Sequence, residues 1–182
     1  DYVFKNVSIN NPMILMNGAA KYHLDTKKYD KIYHIASNAR KFIDQQLLNN
    51  EMKAFIYTIN DNTLHAYHKT LTNDGEISYY NHRKERNSYS FVLADLPKEL
   101  KATLYTIVDT KEKIEKIKRI IESSIDKNDL NLIENKYKTD DNNEYWILRI
   151  SSSLTNKLNS IKNIYEENKY NFLVVFASGK SD

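Results

Sequence analysis

His65, His68 and His82 are the densest group of side chains in this sequence that could do acid–base chemistry near neutral pH. A histidine-dependent hydrolase or nuclease built on them needs at least two of the imidazoles to converge on one substrate. If His65-Ala66-Tyr67-His68 is a strand, side chains three apart point to opposite faces, so this pair cannot grip a single metal ion. His68-Lys69-Thr70 could hold a phosphate between an imidazole and a hydroxyl, but no second His-x-Thr or His-x-Ser occurs to complete a pair. The chain has no cysteine, which removes thiol nucleophiles, thiolate metal sites and disulfides. With only 3 glycines there is no Gly-rich phosphate loop and no strand–turn nucleophile motif. The sequence therefore suggests no cofactor and no metal site, and it leans away from an enzyme.

A second chemistry is recognition of nucleic acid. Arg83, Lys84 and Arg86 gather beside His82, with Tyr79, Tyr80 and Tyr89 around them. Basic residues pair phosphates and neighbouring rings stack bases. Tyr105 and Tyr145 sit on strands where an RNA-binding sheet carries stacking rings. The net charge of +3, from 27 basic and 24 acidic side chains, permits a polyanion partner without requiring one. Elsewhere, Lys111 to Arg119 alternates with Glu112 and Glu115 at i,i+4 spacing, the pattern of a solvated helix face.

These residues need elements to hold them. Alternation predicts strands over Asp1–Ile9, Lys53–Ile59, Tyr89–Leu96, Ala102–Val108, Leu130–Lys138, Tyr145–Ile150 and Asn171–Ala177. Apolar spacing of three and four predicts helices over Lys27–Leu48, Lys111–Ile125 and Leu154–Asn168. Asn73-Asp74-Gly75 reads as the turn of a hairpin joining Leu64–Thr72 to Glu76–His82.

The fold class that follows is α+β. The C-terminal half has the βαββαβ order of a ferredoxin-like sheet with two helices on one face. The N-terminal half adds a helix and an antiparallel hairpin. The chain reads as a single domain over residues 1–182, with a subdivision into 1–97 and 98–182 as the variant. No stretch reaches the roughly 18 apolar residues of a membrane span, and no signal segment opens the chain, so a soluble protein is expected. The Asn-, Lys-, Ile- and Tyr-rich composition suits an A+T-rich genome, viral or microbial, and leaves the compartment undetermined.

With no coherent catalytic set and 14 tyrosines, the leading expectation is a non-enzymatic protein-binding or assembly module. Tyrosine brings large contact area and a polar tip to interfaces. RNA binding through the sheet aromatics and the Arg83–Arg86 connector is the alternative, and the histidine-dependent hydrolase is the third reading.

Overall fold

The computed structural model describes residues 12–85, 90–124 and 129–169. It is a mixed α+β structure with four α-helices and two sheets among the described residues. In chain order the elements are β1 (Met13–Leu15), β2 (Ala20–His23), β3 (Lys28–Asp30), α1 (Ser37–Asn49), β4 (Phe55–Asn60), β5 (Thr63–His68) and α2 (Asp74–Lys84). They continue with β6 (Ser90–Leu93), β7 (Leu104–Asp109), α3 (Lys111–Ser124), β8 (Leu130–Lys138), β9 (Glu144–Ser152) and α4 (Lys157–Asn168). The expected strands at 1–9 and 171–177 lie outside the described residues. No helix among the described residues is long and apolar enough to cross a membrane.

The chain divides into two compact units. One comprises Asp1–Ile32 with Thr155–Asp182, the other Tyr33–Leu154. In the first unit β1, β2 and β3 form an antiparallel sheet, with Tyr22 opposite Tyr29. The helix expected from Lys27 therefore begins only at Ser37. Lys27 and Lys31 have φ of 55° and 47°, left-handed backbone that no α-helix continues through, and Lys28–Asp30 pairs with β2 instead.

The second unit is built on a six-stranded sheet in the order β6-β5-β4-β7-β9-β8. All pairings are antiparallel except β5–β6, which is parallel and bridged by α2. The sheet runs unbroken through the β4–β7 pairing, so the expected subdivision at 97/98 does not divide it. The ferredoxin-like reading is also corrected. β7, β9 and β8 do lie side by side, but the other flank of β7 is held by β4, a strand of the N-terminal half. Helix α4, the second helix of that reading, falls in the other unit.

The predicted hairpin around Asn73-Asp74-Gly75 is likewise not formed. Those residues open helix α2, because Asn73 and Glu76 make a reciprocal capping box. The Asn73 side chain accepts from the Glu76 N–H at 2.8 Å, and the Glu76 carboxylate accepts from the Asn73 and Thr72 N–H groups. The hairpin turn lies earlier, at Asp61-Asn62 between β4 and β5, where both residues have positive φ, as a two-residue turn requires.

Pleating sends alternate residues to opposite faces. Tyr105 and Ile107 of β7 join Leu148 and Ile150 of β9 in a core completed by Ile43 of α1 and Ile114, Ile117 and Ile121 of α3. On the other face Phe55 and Tyr57 of β4 meet Tyr79 of α2: the rings of Phe55 and Tyr79 are 5.0 Å apart, and the hydroxyls of Tyr57 and Tyr79 are 3.0 Å apart. Arg40 of α1 ties the segment before β7 to the core by donating to the carbonyls of Leu96, Pro97 and Leu100.

Gly75 lets α2 lie close to the sheet. A Cβ there would meet the Tyr145 ring at 2.6 Å. Alanine normally stabilises a helix interior by ~1 kcal/mol over glycine. Gly75→Ala is expected to do the opposite here, losing about 1–3 kcal/mol to overpacking. In a Tyr145→Ala background the loss should vanish, and urea midpoints of the single and double variants check this.

Candidate functional site

The three candidate histidines do not share one site. On β5, His65 and His68 lie on opposite faces of the strand. The Nδ1 of His65 is buried without a hydrogen-bond partner, and its ring lies 6.3 Å from that of Tyr67. His68 is buried on the α2 face among the rings of Phe55, Tyr80 and Phe91, at 5.2–5.7 Å, with Nδ1 2.9 Å from the Lys69 carbonyl. His82 lies on the last turn of α2, against β8.

His82 is the member with a chemically organised surround. Its Nε2 is 3.0 Å from the Asp140 carboxylate and its Nδ1 2.9 Å from the Tyr137 hydroxyl, which is 2.9 Å from the Ser78 hydroxyl. A neutral imidazole satisfies this chain by donating from Nε2 to Asp140 and accepting the Tyr137 proton at Nδ1. The elements explain the convergence: Ser78 and His82 are four apart on one face of α2, Tyr137 stands near the end of β8, and Asp140 follows in the turn after it. That Asp140 and Tyr137 meet His82 and Ser78 is not legible in sequence, because the contacts span more than 50 residues of chain.

The aromatic residues assigned to base stacking are placed against that role. Tyr105 is fully buried and its hydroxyl donates to Asp44 at 2.7 Å, so no ring face is open. Burial and the Asp44 carboxylate push its ionisation far above the ordinary tyrosine range. Tyr105 pairs with Ile150, so Tyr145, five residues away on the same strand, lies on the opposite face. Tyr145 rests on Gly75. The two rings cannot form one platform. The expected connector is instead the last turn of α2: there the Arg83 guanidinium stacks 5.2 Å over the Tyr79 ring and the Lys84 ammonium 5.4 Å over Tyr80, while Arg86 lies outside the described residues.

In the other unit, buried Lys21 pairs with Glu167 at 2.9 Å, and Lys31 shares the same carboxylate. At Gly18, whose φ is +96°, a Cβ would come within 2.9 Å of the Asn156 backbone, too close for any side chain. Asn156 caps α4 through its side chain. Among the described residues there is no group of three His, Asp or Glu placed to hold a metal ion.

No protein-family model matches the chain and no curated protein matches it. Solved structures do share its fold. A haloacid dehalogenase-like hydrolase from Bacteroides thetaiotaomicron superposes with a TM-score of 0.59 at 9% identity, over 88% of this chain and 55% of its own. A subclass IIB sugar phosphatase of the HAD superfamily superposes with a TM-score of 0.58 at 10% identity, over 88% and 54%. The chain spans about half the length of these structures. This corrects the expectation of a non-enzymatic protein-binding module, since the fold over most of the chain is one that hydrolases carry.

Two measurements probe the described groups. Tyr137→Phe removes the hydroxyl that joins Ser78 to His82 and is expected to cost about 1 kcal/mol. A cycle with His82→Ala should return a coupling of at least about 0.5 kcal/mol. His34, beside Thr103 at 3.3 Å, is held below the ordinary histidine value of 6.5 by burial and by the charge of Lys101. The folded ring resists protonation, so the unfolded chain binds the extra proton. Stability is then complete above about pH 6.5 and declines as pH falls through the window below it. The decline should be shallower in His34→Gln, as followed by urea unfolding at stepped pH.

Proposed function

We propose that the chain is part of a hydrolase that releases phosphate from phosphorylated small molecules, with sugar phosphates as the first class to test. The observation that carries this reading is the likeness to a hydrolase and a sugar phosphatase over 88% of the chain. At 9–10% identity that likeness is one of fold, and the chain spans about half of each neighbour, so the activity is proposed for the whole protein. The residues support it to this extent: hydroxyl, imidazole and guanidinium groups stand on the α2 side of the sheet, whereas the opposite face is sealed by apolar packing. Binding of RNA on the sheet has no comparable support, because Tyr105 is buried and faces away from Tyr145.

The test is phosphate release from a panel of sugar phosphates and a chromogenic phosphomonoester, with and without divalent cations. Release from at least one sugar phosphate, saturable in substrate, is the expected outcome. A folded protein that releases phosphate from none of them under either condition contradicts the proposal.

A further inference from the structure

Strand pairing lays out the α2 face of the sheet as rows. One row runs Phe55, Thr106, Arg149, Ile133 across β4, β7, β9 and β8. The next rows on either side place Leu104, Ser151 and Asn131 together, and Val108, Ile147 and Asn135 together. Phe55 packs on Tyr79 of α2, which fixes this row on the α2 face. Arg149 therefore rises from the middle of β9 on the face opposite the Ile114–Ile117–Ile121 core.

Three features of this row and its neighbour are unusual. Arg149 is only partly exposed, yet no carboxylate, carbonyl or ring among the described residues engages its guanidinium. By contrast Lys118, also half-buried, pairs with Glu134 on the opposite face of β8 at 2.9 Å. Thr106, its direct neighbour on β7, is fully buried and its Oγ1 has no hydrogen-bond partner. Such an orphaned hydroxyl is destabilising unless something supplies a partner. Asn135, a diagonal neighbour on β8 within reach of a long side chain, also has an unengaged amide. Beyond it on the same strand stands Tyr137, hydrogen-bonded to Ser78.

We infer that this row is a binding site for an anionic, hydroxyl-bearing ligand of the sugar-phosphate class. Arg149 takes the phosphate through its fork of N–H donors, the geometry suited to a tetrahedral oxyanion. Asn135 and the Ser78–Tyr137 hydroxyl pair face the ligand's hydroxyls along β8. The absence of a competing carboxylate beside Arg149 leaves its charge for the ligand. This inference rests on the hydrolase reading for the choice of sugar phosphate over other anions.

Isothermal titration of the protein with inorganic phosphate, glucose 6-phosphate and glucose tests it. Both phosphates should bind and glucose should not. Arg149→Gln should weaken both by at least about tenfold, and Arg149→Lys by less. Asn135→Ala should weaken glucose 6-phosphate more than phosphate. Arg119→Gln, on the exposed face of α3, should change neither. Unchanged binding in a folded Arg149→Gln protein, or no binding of glucose 6-phosphate to the parent, overturns the site. If Arg149→Gln does not fold, amide shifts of the parent on adding glucose 6-phosphate decide: they must centre on Thr106, Asn135 and Arg149, and shifts centred elsewhere overturn it. The two proposals fail separately. Phosphate release that survives Arg149→Gln sinks the site and keeps the hydrolase. Arg149-dependent binding without any phosphate release keeps the site and sinks the hydrolase.

Discussion

Strand β7 is buried along all six residues, because helices cover both faces of the sheet at its centre. That double burial fixes the register of its neighbours. A slip of one residue would turn Tyr105 and Ile107 out of the α1–α3 core and drive Thr106 into it. The same slip in β9 would bury the Arg149 guanidinium among isoleucines, at a desolvation cost that no contact there could offset. The rows on the α2 face, and the groups they bring together, follow from that one constraint.

The two faces are finished differently. Helices α1 and α3 seal theirs with isoleucine, leucine and alanine. The other is covered by the 11 residues of α2, a rod about 16 Å long at 1.5 Å per residue. Six strands at roughly 4.8 Å spacing put the outer pair about 24 Å apart, so α2 cannot roof the whole surface. Aromatic rings crowd under the helix toward β5 and β6, and polar groups gather on its β8 side.

How much of this could be read in advance depended on range. Helix α3 and strands β7, β8 and β9 were legible because each carries its own periodicity, Ile114-Ile117-Ile121 being the clearest. Helix α2 was not, because Asn73-Asp74-Gly75 is both a turn signature and the start of a capping box. Only Glu76, three residues after Asn73, tips it toward helix, and its buried carboxylate does so through contacts to Thr72 and Asn73. β3 was lost because Tyr29, Ile32 and Tyr33 extend the apolar spacing of α1 past the point where the backbone turns left-handed. Which strand flanks β7 could not be read locally, since β4 and β7 are far apart in sequence. Of the site, His82 was visible as a residue type, whereas its partners are defined by tertiary contact alone. Arg149 was passed over because a single cation between Leu148 and Ile150 looks like the polar half of an ordinary alternating strand.

The two-residue turn at Asp61-Asn62 and the β8–β9 connection close hairpins whose ends are near in sequence, and loop closure over such spans is entropically cheap. Joining β4 to β7 closes a much longer span, enclosing α2 and β6. The assembly pathway is therefore expected to present two preformed ribbons whose docking is the slow event, with rates governed by topology more than by the strength of either ribbon. Destabilising Tyr57 or Leu104 at that seam should retard refolding more than equal damage within β8–β9, a distinction that stopped-flow rates resolve.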